Sequence, residues 1–220
     1  MAGTSAVPTS DDDPYERLRR ERPALFANPP GAGYEILPAA DAAPERGPYG
    51  VQYQDSFVTL VRDPVRFPNG GTGGYIRLLE RAENGGAAVL PLIGERAVLI
   101  RHFRHATRDW HWEIPRGFSD PGEMPEQTAH RELVEELGVE PQGLRRLGVI
   151  HVDTGISAMG TTLYATTLAG LAPHDTRDEA ITERGRFTAG EIDAMLADGE
   201  LTDSFTMAAV LHARRLGLLP

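Results

Sequence analysis

Apolar and polar residues alternate in short runs over the first half of the chain, whereas the second half also contains segments with helical spacing. Gly and Pro separate the short runs, which is typical of β-strands joined by tight turns. The predicted strands are residues 56–67, 73–82, 86–93, 96–105, 144–153, 161–168 and 180–187. The predicted helices are residues 125–138, 189–199 and 202–217. This order of elements favours an α+β fold or an α/β sandwich with mixed sheets.

The N-terminal part of the chain has a different composition. Residues 1–12 are small, polar and acidic, and we expect them to form a disordered tail. A short helix is predicted to begin at Asp13 and Pro14 and to end at Pro23. Pro and Gly are then too frequent for a regular element over about thirty residues. The predicted division is a tail (1–12), a helix with a Pro/Gly-rich segment (13–44), a β-rich segment (45–85) and a main domain (86–220).

The bulk composition excludes several classes of function. The net charge of −10 disfavours a nucleic-acid partner, because phosphate contacts need a basic surface. The absence of cysteine excludes disulfides, thiol catalysis and cysteine-bound metals. No apolar run approaches the ~20 residues of a membrane span, and the N-terminus lacks the features of a secretory signal. We therefore expect a cytoplasmic protein with no membrane partner.

The stretch GFSDPGEMPEQTAHRELVEELGV, residues 117–139, contains an unusual cluster of carboxylates. Glu132, Glu135 and Glu136 have the i, i+3, i+4 spacing that places them on one helix face, where like charges repel by a few tenths of a kcal/mol per pair. A solvated acidic face is the simpler interpretation. However, the preceding Gly/Pro-rich loop can bring Glu123 towards the helix. Several hard oxygen ligands converging on one point are what Mg²⁺ or Mn²⁺ requires.

The spacing of this stretch resembles the signature of the Nudix hydrolases at every defined position. Gly117 is followed after five residues by Glu123, and after seven more by the run RELVEELGV, residues 131–139. The resemblance implies a Nudix fold, which is an α/β/α sandwich with mixed sheets, here with an N-terminal β-rich extension. It also implies hydrolysis of a nucleoside diphosphate linked to another moiety, with Mg²⁺ as cofactor and Mn²⁺ as a substitute.

The resemblance also assigns roles to residues. Glu132, Glu135 and Glu136 are implied to bind the metal, together with the main-chain carbonyl of Arg116. Glu135 and Glu136 are thereby implied to be catalytic.

Three further residues of the signature are implied to support the site. Gly117 belongs to the loop, and Glu123 and Arg131 are implied to brace the loop against the helix by pairing. The apolar positions Leu133 and Leu137 are expected in the core.

Resemblance extends over roughly residues 50–218. The stretches HWEIPRGF, AVLIRHFRHA and DGELTDSFTMAAVLHA are similar to the branch that hydrolyses ADP-ribose and other nucleoside diphosphate sugars. In that branch a β-rich segment pairs across a homodimer, a role that fits residues 45–85. One position differs, because Thr154 precedes Gly155 where the ADP-ribose subgroup usually carries proline. The broader nucleotide-sugar class fits this difference better than ADP-ribose alone.

Residues outside the signature are weaker candidates. Arg101 and Arg104 could bind the pyrophosphate through their forked guanidinium groups, and surface pairing is about as good an explanation. Glu113 has two equally weighted interpretations, a substrate contact or a structural pairing. Glu179 is the best candidate for a general base in the acidic segment near residue 180, with Asp178 and Asp175 as alternatives.

The sequence thus predicts a metal-dependent pyrophosphatase of ADP-ribose or a related nucleotide sugar, acting on a small-molecule nucleotide and giving a nucleoside monophosphate and a sugar phosphate. One alternative is hydrolysis of nucleoside triphosphates to cleanse the nucleotide pool. Another is a nucleotide-sugar sensor without catalysis, a class in which glutamates of the signature are often lost.

Overall fold

The computed structural model describes residues 13–38, 41–42, 47–80, 84–171, 173 and 180–220. The chain divides into two compact units. The first comprises Met1–Arg81 with Gly155–Ala158, and the second comprises Ala82–Thr154 with Met159–Pro220. Among the described residues, no helix is long and apolar enough to cross a membrane.

The first unit is built around one antiparallel sheet. Its elements are α1 (Pro14–Glu21), a 3-10 helix (Pro23–Phe26), β1 (Glu35–Ile36), β2 (Gly50–Gln54), β3 (Val58–Arg66) and β4 (Thr72–Glu80). The central strand β3 pairs with each of the other three. The predicted helix after Asp13 is present, and the Asp13 side chain accepts a hydrogen bond from the Tyr15 amide at 2.9 Å.

The Pro/Gly-rich segment is more regular than its composition predicts. It contains the 3-10 helix and the short strand β1. Asn28 explains the strand, because its side-chain amide binds both main-chain groups of Ile36, at 2.8 and 3.0 Å. This contact holds Ile36 extended against Val65 of β3. The prediction of no regular element was wrong here because it weighed composition and missed a side chain that aligns the backbone.

The second unit contains a seven-stranded mixed sheet. Its elements are β5 (Gly86–Ile93), β6 (Arg96–Arg104), β7 (Asp109–Glu113), β8 (Arg116–Phe118), α2 (Pro125–Leu137), β9 (Arg145–His151), β10 (Gly160–Thr167), β11 (Ile181–Phe187), α3 (Ala189–Ala197) and α4 (Ser204–Arg215). Strands β5 and β10 are parallel, and the remaining pairs are antiparallel.

Helices cover both faces of this sheet. Successive residues of β5 point to opposite sides, so that Ala87 and Val89 pack in one core and Ala88 and Leu90 in the other. The first core contains α2, whose fully buried Leu133 contributes about 1.5–3 kcal/mol through burial alone. The second core contains residues of α3 and α4. The predicted α/β/α sandwich with mixed sheets is therefore confirmed.

The sheet splits between β5 and β6. These two strands pair only through Leu92 with Ala97 and Ile93 with Arg96. Beyond that point β6 pairs with β7, and β5 pairs with β8. Only Ile114 separates β7 from the Pro115 that precedes β8. The split places polar side chains from several strands around one opening.

Candidate active site

Helix α2 is positioned by clear sequence signals at both ends. Pro125 occupies its first turn, and Gly138 ends it with φ of 68°, a left-handed conformation that glycine adopts at little cost. Gln127 accepts a hydrogen bond from the Met124 amide at 2.9 Å. Since Leu133 and Leu137 face the core, the i, i+3, i+4 carboxylates on the adjoining face lie towards the preceding loop.

The loop main chain lies directly against the helix carboxylates. A Cβ atom at Gly117 would collide with the carboxylate of Glu132, so only glycine allows this approach. One residue earlier, the main chain of Arg116 gives a hydrogen bond to Glu136. The structure therefore brings Arg116, Gly117, Glu132 and Glu136 together.

Arg131 links the loop to the helix. Its guanidinium donates hydrogen bonds to Glu123 at 3.2 Å, to Glu132 and Glu135 at 2.8 Å each, and to the carbonyl of Phe118 at 2.9 Å. Burial acts to raise the pKa of Glu123, but the hydrogen bonds to Arg131 and to neighbouring groups outweigh it and hold that pKa below its usual value. The implied pairing of Glu123 with Arg131 is thus present.

Glu136 differs from the other helix carboxylates. It is only 3% exposed, and its Oε2 atom has no hydrogen-bond partner among the described residues. Burial and, secondly, the charge of Glu132 raise its pKa well above the ordinary value. A buried anionic oxygen without a partner is unfavourable unless a cation arrives. The geometry of Glu136 therefore fits a metal ligand.

The full ligand set is not preassembled. Within the described ranges, no three His, Asp or Glu side chains are arranged to hold a metal ion together. Arg131 gives a physical reason, because it holds Glu132 and Glu135 by hydrogen bonds of 2.8 Å. The donor atoms still suit a hard divalent cation, since they are carboxylate and main-chain oxygens. A divalent ion bound by Glu132 and Glu135 would have to replace their hydrogen bonds to Arg131.

A cavity of about 510 Å³ opens at the split in the sheet. It is lined by Arg104, His105, Ala106, Thr107, His111, Glu113, Arg116, Val152, Thr202, Asp203, Ser204 and Phe205. Arg104 and Glu113, both predicted to bind substrate, are among these residues. The charges of Arg104 and Glu113 also act on Glu136, so the cavity lies close to the helix carboxylates.

Glu113 is the buried centre of a charge network in this cavity. Its side chain is 1% exposed and receives two hydrogen bonds from Arg104, one of them at 3.0 Å from Nε. His102 Nδ1 lies 3.1 Å from Glu113 Oε1, near enough for an ion pair but poorly aligned for a hydrogen bond. Burial acts to raise the pKa of Glu113, but His102 and Arg104 outweigh it and keep that pKa below its ordinary value.

The remaining predicted residues lie elsewhere. Arg101 pairs with Glu183 at 2.8 Å, with both side chains more than 40% exposed, and it does not line the cavity. Its geometry matches the alternative of surface pairing. Glu179, Asp178 and Asp175 lie outside the described residues.

Sequence reasoning missed several residues that line the cavity. His111 contacts the hydroxyl of Thr202 at 3.0 Å, and Asp203 caps α4 by accepting a hydrogen bond from the Thr206 amide at 2.8 Å. The guanidinium carbon of Arg116 lies over the ring of Phe205, 4.5 Å from the ring centre. The signal for Asp203 was available, since an aspartate directly before the first residue of a helix is typical of an N-cap.

Comparisons with known proteins agree with this geometry. A model of the NUDIX domain matches residues 83–199, more than half of the chain. An ADP-ribose pyrophosphatase of Mycobacterium tuberculosis is 32% identical over 165 residues, which cover 72% of this chain and 78% of that protein. A CMP-5'-(N-acetyl-N-hydroxy-3-aminopropyl)phosphonate hydrolase of Streptomyces rubellomurinus is 27% identical, covering 76% of this chain and 80% of that protein.

A solved structure supports the fold. The crystal structure of an ADP compounds hydrolase superposes with a TM-score of 0.64 at 20% identity, covering 77% of this chain and 91% of that one. Members of the Nudix family generally use divalent metal ions. From the domain match, the relatives and the fold together, the chain belongs to the Nudix family and is a Nudix pyrophosphohydrolase.

Proposed function

We propose that this enzyme hydrolyses the pyrophosphate bond of ADP-ribose or a related nucleoside diphosphate sugar, with Mg²⁺ as its cofactor and Mn²⁺ as a substitute. The observation that carries the proposal is the position of Glu136. This buried carboxylate lies near the cavity, and it interacts electrostatically with Arg104 and Glu113 of the cavity wall. A diphosphate placed at Glu136 has room beside it for an organic group. The relative from Mycobacterium tuberculosis, an ADP-ribose pyrophosphatase, supports the same substrate class.

In the proposed chemistry, helix α2 and the adjoining loop bind the metal, and the cavity binds the substrate. Glu132, Glu135, Glu136 and the carbonyl of Arg116 would hold the metal. A divalent ion bound there offsets the phosphate charge and lowers the pKa of a bound water. Arg104, held by Glu113 at two points, would present its remaining donors to the substrate.

The proton of the attacking water needs an acceptor. Glu179 remains the proposed general base. Replacing it with glutamine is expected to lower kcat more than it raises KM, because proton removal matters only in the transition state. Steady-state kinetics would check this. A wild-type kcat in Glu179→Gln would exclude Glu179 as the base. Asp178→Asn and Asp175→Asn would then test the two alternatives.

The reaction itself is tested by a substrate panel. Sugar nucleotides and nucleoside triphosphates would be incubated with the full-length protein and Mg²⁺ or Mn²⁺ in ¹⁸O-labelled water, and the products identified by mass. We expect a nucleoside monophosphate and a sugar phosphate, with the label in one of the two phosphates. Free sugar with a nucleoside diphosphate would contradict the proposal.

Two outcomes of the same panel favour the alternatives. Faster turnover of triphosphates would indicate a cleansing enzyme of the nucleotide pool. Tight binding of a sugar nucleotide without turnover would indicate a sensor. Retention of every glutamate of the signature favours the catalytic assignment over the sensor.

We also propose a homodimer whose assembly depends on residues 45–85. Strand β2 pairs on one side with β3, and an exposed strand edge tends to find a partner. Tyr53 on β2 is 55% exposed and Phe57 beyond it 61% exposed, which adds apolar surface there. Light scattering is expected to give twice the chain mass for the full chain and the single-chain mass for a truncation lacking residues 1–85. A fully active monomer would refute a site shared between subunits.

A further inference from the structure

The side chain of Arg116 occupies an unusual position. Its guanidinium lines the cavity and lies over the ring of Phe205, with 4.5 Å between the guanidinium carbon and the ring centre. The Nη2 atom is 3.3 Å from Glu113 Oε2 and 3.5 Å from Asp203 Oδ1. Its Nε atom is buried and has no hydrogen-bond partner among the described residues.

Each carboxylate near Arg116 also has another hydrogen-bond partner. Glu113 is already bound at two points by Arg104. Asp203 uses its Oδ2 atom to accept hydrogen bonds from the amide and hydroxyl of Thr206, at 2.8 and 2.7 Å. The contacts of Arg116 at 3.3 and 3.5 Å are longer than the usual 2.7–2.9 Å of charge-assisted hydrogen bonds. Arg116 is therefore a fixed positive charge with unused donor capacity inside the cavity.

The main chain of the same residue reaches the other part of the site. It gives a hydrogen bond to Glu136, the buried helix carboxylate. The main chain of Arg116 thus lies beside the proposed metal ligands, and its side chain lies in the cavity with the planar guanidinium against Phe205. A phosphate group that enters between these two points meets the edge of the guanidinium, where Nη2 makes only the two long contacts at 3.3 and 3.5 Å.

We propose that the Arg116 side chain is a specificity-determining residue that donates to a phosphate oxygen of the bound nucleotide. This role is separate from that of its main-chain carbonyl at the metal. The proposal rests on the proposed function for the identity of the nucleotide. It predicts that Arg116 discriminates a phosphorylated nucleoside from the same nucleoside without phosphate, and that it contributes to binding more than to the chemical step.

Binding of AMP and of adenosine to the metal-free, full-length protein tests this role, because the two ligands differ only in the phosphate. Arg116→Met removes the charge and keeps an unbranched chain, whereas Arg116→Lys keeps the charge without the fork. Arg96→Met is the matched control, since Arg96 is exposed and pairs with Glu191 at 3.1 Å. Calorimetry is expected to show that Arg116→Met lowers the preference for AMP over adenosine about 10- to 100-fold. Arg116→Lys should lie between, and Arg96→Met should match the wild type.

Kinetics provide the second readout. With ADP-ribose and Mg²⁺, Arg116→Met is expected to raise KM about 10-fold or more and to leave kcat within a few-fold. Equal losses of AMP and adenosine affinity would indicate a purely structural role and overturn the inference. A wild type that binds AMP no more tightly than adenosine would also overturn it. If Arg116→Met fails to fold, Arg116→Lys still tests the inference. That variant lacks the forked guanidinium, so a wild-type preference for AMP over adenosine would contradict the proposed contact.

The two proposals fail separately. If the wild type hydrolyses no nucleoside diphosphate sugar but binds AMP through Arg116, the proposed function fails and the anion contact stands. If the wild type is active and Arg116→Met keeps both its KM and its preference for AMP, the proposed function stands and the role of Arg116 fails.

Discussion

Replacing Glu136 with glutamine is expected to lower kcat/KM for ADP-ribose at least about 100-fold while leaving the fold intact. Glutamine has nearly the same shape but no charge, so it cannot hold a divalent cation in the same way. The change also removes a buried carboxyl group whose charged form is disfavoured by burial and by the charge of Glu132. The melting temperature without metal should therefore stay level or rise.

Initial rates across a Mg²⁺ titration, together with calorimetric melting in a chelator, measure both effects. Glu126→Gln is the matched control, because Glu126 lies in the first turn of the same helix and is exposed. That control should keep the wild-type rate. A Glu136→Gln variant that retained more than about a tenth of the wild-type rate would remove this carboxylate from the mechanism.

The second large effect concerns stability. Replacing Glu113 with alanine is expected to lower the free energy of unfolding by about 1.5–3 kcal/mol, because it removes the buried acceptor of two hydrogen bonds from the partly exposed guanidinium of Arg104. Activity should fall as well, since Arg104 loses the carboxylate that orients it. Urea denaturation of both proteins at neutral pH would measure the loss.

A second ion pair involving β6, the strand that carries Arg104, offers a matched control. Arg101 on β6 pairs with Glu183 at an exposed position, so Glu183→Ala should cost only about 0–1 kcal/mol. A double variant, Arg104→Met with Glu113→Ala, should lose less than the sum of the two single changes. Additive losses would show that the two side chains are not energetically coupled.

The pH dependence of the Glu113 effect has a defined sign. The pKa of Glu113 is lower in the folded protein than its ordinary value. Its charged form therefore stabilises the fold above the ordinary carboxylate pKa, and this contribution is lost as the pH falls through the lowered value. The difference in stability between the wild type and Glu113→Ala should be largest near neutral pH and should shrink in acid.

The sequence predicted the helix and its loop more accurately than the cavity. The contacts of Gly117, Glu123 and Arg131 could be predicted because they lie within one short stretch of the chain. Gly117 itself lies against the carboxylate of Glu132, and Arg131 pairs with Glu123 eight residues away. Local spacing carries this information directly.

The cavity could not be predicted in the same way, since its walls come from distant parts of the chain. Asp203 approaches Arg116 across 87 residues, and no periodicity relates the two. The choice between Arg101 and Arg104 also needed the structure. They lie three residues apart on one strand, and only their partners, exposed Glu183 or buried Glu113, distinguish them.

The split between β5 and β6 has a consequence for how such an enzyme could change its substrate. Residues 104–118 form one continuous stretch that runs from the end of β6 through β7 to β8, and it supplies seven of the twelve residues that line the cavity. Helix α2 touches this stretch at β8, where Gly117 lies against Glu132, but its apolar core comes from other strands. A longer or differently charged turn at residues 105–108 would reshape the opening without disturbing the carboxylates of α2. New specificities could therefore arise by exchanging one short peptide, and a library confined to that peptide is a practical starting point for engineering.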